Sequence, residues 1–141
     1  MSMYTLSSVK LISLSHFKEE NGELVIVEGG INIPFQILRV FNVRSSDDST
    51  RGHHAHKLCS QFLLCPNGAI QVNCSDGSEL AVFMLDRPNI GLFVPPGIWM
   101  DQVYKQENSV LTVLCDQHFE ESDYIRDYER YLNYLKSNRL A

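Results

Sequence analysis

Arg51-Gly52-His53-His54-Ala55-His56-Lys57 gathers three of the chain's five histidines. On an extended run, successive side chains point to opposite faces. His54 and His56 then share one face, and His53 and Ala55 take the other. If the first face lines the inside of a barrel, two imidazoles enter one concave, partly dry site suited to a small ligand.

The flanking sequence supports that geometry. Segments 24–28, 35–43, 61–64, 69–73, 79–85, 91–94 and 110–115 are short, rich in β-branched or aromatic residues, and separated by turn residues. Asn21-Gly22, Pro66-Asn67-Gly68, Ser75-Asp76-Gly77 and Pro95-Pro96-Gly97 supply the fixed or positive φ values of tight turns. The reading is an all-β, antiparallel domain closing into a barrel or sandwich. The polar segment 44–50 reads as a surface loop leading into the histidines. Only the C-terminus changes period: Tyr124, Tyr128, Tyr131, Leu132 and Leu135 recur at helical spacing, predicting one α-helix over about 122–137. Ser122 or Asp123 is the expected N-cap, and the aromatic stripe reads more simply as a packing face than as a ligand site.

The length of 141 residues suits one domain spanning 1–141. A net charge of −5 argues against a nucleic-acid surface, so an anionic ligand needs a local cationic pocket. Cys59, Cys65, Cys74 and Cys115 form no Cys-x-x-Cys pair and read as reduced, buried thiols. There is no basic leader with an apolar run behind it, and no apolar stretch approaches the ~20 residues that span a bilayer. A soluble cytoplasmic protein without membrane partners is expected.

The His-x-His pair admits three readings: two metal ligands, an acid/base pair, or side chains satisfying core hydrogen bonds. In the cupin pattern, a metal site adds a carboxylate a few residues after the pair and a histidine after a Pro-x-Gly turn. Here those places hold Gln61 and Met100, poor ligands for a hard or borderline ion. No metal and no other cofactor is therefore expected. An imidazole pair that titrates near neutrality suits keto–enol isomerisation. Arg51 could clamp a diphosphate by parallel hydrogen bonds, or it could be a surface arginine paired with Asp47 or Asp48.

Several strings together resemble the dTDP-4-keto-6-deoxyglucose 3,4-ketoisomerase family of cupins, also called WxcM-like. They are Gly22-Glu-Leu-Val-Ile-Val-Glu28, Asn32-Ile-Pro-Phe35, Arg39-Val40, Arg51-Gly-His-His-Ala-His-Lys57, Gln61, Pro96-Gly-Ile-Trp99 and Glu121-Ser-Asp-Tyr-Ile-Arg-Asp-Tyr128. The resemblance implies an RmlC-like jelly-roll barrel and a homodimer, commonly with exchanged N-terminal strands. It also implies a dTDP-linked 4-keto-6-deoxyhexose as ligand, in deoxysugar synthesis for surface polysaccharides such as lipopolysaccharide. By position, His54 and His56 correspond to the proton-transfer pair and Arg51 to the diphosphate contact. Arg39, Lys57, Gln61 and Trp99 are expected around the substrate.

Two positions depart from the family pattern. Met100 stands where another histidine is usual, with Asp101 as the neighbouring acid, and Phe41 stands where a tyrosine is common. A thioether cannot usefully carry a proton, and Phe41 lacks the phenolic donor. The same nucleotide-sugar pocket without turnover is the alternative these departures raise.

Overall fold

Arg39–Arg44 shows how the chain builds its layers. Arg39, Phe41 and Val43 turn inward while Val40, Asn42 and Arg44 face outward, the period of two that a half-buried strand imposes. The structure, a computed structural model, describes residues 4–139. Its strands are β1 (Lys10–Ser13), β2 (Ser15–Glu19), β3 (Gly22–Ile26), β4 (Arg39–Arg44), β5 (Thr50–His56), β6 (Gln61–Asn67), β7 (Ile70–Ser75), β8 (Leu80–Leu85), β9 (Ile90–Val94), β10 (Trp99–Tyr104), β11 (Val110–Cys115) and β12 (Tyr124–Ile125), followed by α1 (Tyr128–Arg139).

Two five-stranded antiparallel sheets form, in the orders β1-β9-β6-β11-β4 and β12-β5-β10-β7-β8. Between them lies an apolar core that includes Leu63, Val72, Leu92, Met100, Tyr104 and Val113, drawn from both sheets. Burying such side chains contributes about 1.5–3 kcal/mol each before the entropy cost of ordering. The expected all-β architecture with one C-terminal helix is present. Its hydrogen-bond ladders do not run around a closed cylinder, however, and leave two open sheets. β2 and β3 form a separate hairpin.

The C-terminal expectation is corrected. Residues Glu121–Asp123 form a single 3-10 turn, and β12 then pairs Tyr124 with His56 and Ile125 with Ala55. The α-helix starts only at Tyr128, with the Asp127 carboxylate accepting from the Arg130 backbone N–H at 3.0 Å. Ser122 and Asp123 are not its cap. Tyr131 and Leu135 bury against Ala55 and Ile125, so the stripe is the packing face expected of it. The Tyr131 hydroxyl lies 2.7 Å from the Gly97 carbonyl and 3.1 Å from that of Ser75, donating its proton between them. Among the described residues, no helix is long and apolar enough to cross a membrane.

Candidate active site

β5 reaches the site through a bulge. Its register with β10 pairs Met100 with His54 but Asp101 with Gly52, so His53 is the extra residue. Gly52 and His53 take φ of +97° and +59° to absorb it. On a regular strand Arg51 and His54, three apart, would face opposite ways. The bulge resets the alternation: Arg51 pairs with Gln102, and both line the same cavity as His54.

That cavity has a volume of about 170 Å³ and is lined by Arg51, His54, Gln61, Met100, Gln102 and Arg126, with Phe41, Tyr104 and apolar residues of β4 and β11 around them. Small-molecule sites are usually ~300–1,000 Å³, so this cavity is smaller than a whole ligand site of that kind. Neither Asp47 nor Asp48 forms an ion pair with Arg51 among the described residues. Its guanidinium stays available to the cavity.

His56 lies immediately behind His54, with ring centroids 5.1 Å apart and nearly perpendicular planes. Tyr124 packs on both rings at 5.0 and 4.3 Å and carries the Arg126 guanidinium 4.2 Å from its own centroid. Arg126 is further held by Glu121, both of whose carboxylate oxygens lie 3.1 Å from its Nε. Burial pushes the His54 imidazole down to about 4, and the neighbouring His56 adds to the effect. His56 is lowered too, chiefly by burial, against the opposing pull of Asp123. Its Nδ1 is 2.8 Å from Asp123 Oδ2, while Oδ1 accepts from the Leu58 backbone N–H at 2.6 Å. Among the described residues, nothing hydrogen-bonds to His54 Nδ1 or His56 Nε2, both of them buried.

Arg39 does not line the cavity; its guanidinium lies 5.6 Å from the rings of both Phe41 and Phe119 and donates to the Tyr124 hydroxyl at 3.4 Å. Beside it the Cys59 and Cys115 thiols act on one another, which lowers the Cys115 thiol and raises that of Cys59. All four cysteines are free and buried.

Of the residues expected in the pocket, Arg39, His56, Lys57 and Trp99 do not line this cavity. Trp99 precedes Met100 on β10 and so points the other way, against Tyr128 and Tyr131 under the helix. Lys57 likewise follows His56 and lines hollows of about 400 and 660 Å³ beside α1, outside the cavity. Asp101 also faces away, accepting from Asn73 Nδ2 at 2.7 Å with His53 Nδ1 at 3.8 Å. It cannot replace a side chain lost at Met100. Sequence reading took Asp123 only for a helix cap and did not single out Arg126; the only signal for a place in the site was that both fall in the 121–128 string.

For a metal, the structure brings together a set other than Gln61 and Met100. Potential ligand atoms of His56, Cys59 and Asp123 lie within 4.8 Å of one another. Both oxygens of Asp123 are already engaged by protein donors. The set fits a hydrogen-bonded dyad better than an ion shell.

A family-wide sequence profile described as FdtA: WxcM-like, C-terminal, matches residues 7–136. The TDP-4-oxo-6-deoxy-alpha-D-glucose-3,4-oxoisomerase of Aneurinibacillus thermoaerophilus is 35% identical over 127 residues, covering 89% of this chain and 91% of that one. Among solved structures, QdtA, a sugar 3,4-ketoisomerase from Thermoanaerobacterium thermosaccharolyticum in complex with TDP, superposes with a TM-score of 0.89 at 35% identity, covering 94% of this chain and 98% of that one. A 3,4-ketoisomerase from Helicobacter canadensis gives 0.87 at 31%, over 92% and 98%.

Proposed function

The chain belongs to the FdtA, WxcM-like C-terminal family, and on that premise we propose that it is a sugar 3,4-ketoisomerase acting on a TDP-linked 4-keto-6-deoxyhexose. The observation that carries this reading is the cavity shared by His54 and Arg51, with His56 directly behind His54. A base takes the proton from C3, beside the C4 carbonyl, giving an enediol(ate). Reprotonation at C4, with loss of the O3 proton, leaves the carbonyl at C3. Nothing is oxidised or reduced overall, so no redox cofactor is called for.

His54, neutral at working pH, is set to accept a proton, and His56 is the second acid/base group. Arg51 at the cavity holds the diphosphate, and Gln61 lines the sugar end. The cavity is too small for a whole nucleotide-sugar, which fits a sugar inside and a nucleotide outside. Free, buried cysteines suit a reducing cytoplasm and deoxysugar synthesis there. One domain over 1–141 and a homodimer complete the proposal.

The test is incubation with TDP-4-keto-6-deoxyglucose in deuterated water, following C3 and C4 by NMR. Deuterium at C4 and a new 3-keto sugar are expected. His54→Asn should cut kcat at least about 100-fold, the usual contribution of a general acid/base, while Arg51→Ala should chiefly raise KM. Binding of TDP by a protein with an intact fold but no exchange would sink the isomerase and leave a non-catalytic binding module, the alternative that Met100 and Phe41 raise.

A further inference from the structure

We infer that Asp123 is a positioning residue for His56, holding the proton on Nδ1 so that Nε2 presents a lone pair as the second acid/base of the site. Two independent arrangements carry this. The first is the pair itself: His56 Nδ1 is 2.8 Å from Asp123 Oδ2, and both side chains are at least nine-tenths buried. A carboxylate oxygen only accepts here, so the shared proton sits on Nδ1. Nε2, buried and without a partner among the described residues, is then the unprotonated nitrogen.

The second is the way Asp123 is itself held. Its Oδ1 accepts from Leu58 N–H at 2.6 Å, and its backbone carbonyl accepts from Lys57 N–H at 2.9 Å. These contacts tie it to the residues that directly follow His56, and the next residue, Tyr124, pairs with His56 across β12. Carboxylate and imidazole are thus fixed to one rigid frame. When Nε2 takes a proton, the imidazolium is stabilised by the carboxylate on its other side. When it returns the proton, the original tautomer is restored. Among the described residues His54 has no carboxylate partner, which gives the two imidazoles different work.

The kinetic arm of the test rests on the isomerase reading, whereas the spectroscopic arm does not. In nitrogen-15 NMR of the whole wild-type protein, His56 should show a protonated Nδ1 and an unprotonated Nε2 near neutral pH. The reverse tautomer overturns the proposal, whatever the substrate. In turnover of TDP-4-keto-6-deoxyglucose, Asp123→Asn, which can keep the Leu58 contact and donate to the ring, should lower kcat about 100-fold with KM within threefold. Asp123→Glu should recover part of that loss. Adding Asp123→Asn to His56→Asn should cost less than twofold more, because the carboxylate acts through the ring. A full second loss in the double variant, or an unchanged kcat in the single one, overturns it. If Asp123→Asn does not fold, the wild-type tautomer decides alone. A wild type with no turnover but the expected tautomer removes the isomerase reading and leaves the dyad standing.

Discussion

At the scale of single residues, His54 ties the chemistry of the site to the stability of the fold. Around its ring are His56, Arg126 and His53, none of them negative, while the Gly52 carbonyl favours its charged form. Unfolded, it takes a proton near 6.5; folded, it does so only near about 4. Between those values the unfolded chain binds more protons, so His54's share of stability is complete above 6.5 and is lost as pH falls toward 4. Discounted for its remaining solvent contact, that share is on the order of 2 kcal/mol. The wild type should therefore lose roughly 5–8 °C more in melting temperature between pH 7.5 and 4.5 than His54→Asn does. Equal slopes in the two proteins would remove the argument. The facing of His54 and His56 was legible from strand alternation alone. Asp123 was not, because it lies 67 residues from His56 and nothing local in the sequence announces the contact.

At the scale of elements, the bulge in β5 decides which side chains meet. Period-two reading puts Arg51 opposite His54, and only the extra residue at His53 brings them to one cavity. The sequence does hold a trace of this in Gly52, whose φ of +97° a side chain adopts at a cost. A Cβ there would also stand 2.7 Å from Gln102 Oε1 and 3.1 Å from the Asp101 Cα. Gly52→Ala should destabilise by about 1–3 kcal/mol and turn Arg51 out of the cavity, weakening TDP binding at least tenfold. Thermal melting and calorimetry with TDP check both halves, and unchanged affinity would show that the bulge does not set the site. β10 escaped the sequence reading because Asp101 and Gln102 break the apolar signal of a strand, although Gln102 is buried and faces the cavity. The late start of α1 was illegible for a similar reason: the aromatic spacing runs on through Tyr124, which β12 takes into the sheet.

At the scale of the molecule, the β2–β3 hairpin is an unfinished structure. It belongs to neither five-stranded sheet; Val25 packs on the core around Leu14, Ile33, Phe62 and Leu114, but a two-stranded hairpin is otherwise marginal in water. Its Phe17 and Leu24 lie directly opposite one another yet are 58% and 56% exposed. An aromatic–aliphatic cross-strand pair ordinarily stabilises a sheet by burying its face, and here that face meets solvent. The homodimer proposed above would cover the hairpin with a second copy of the chain, in keeping with the exchanged N-terminal strands that the family resemblance implies. β8 offers a rival surface, since Leu80, Val82 and Met84 also point outward from an edge strand. The two surfaces can be separated by placing one charge in each. Light scattering of the wild type should give the mass of two chains, Phe17→Glu the mass of one, and Val82→Glu still the mass of two. If the Val82 variant is the one that dissociates, the partner docks on β8 and the hairpin is covered by something other than a second copy.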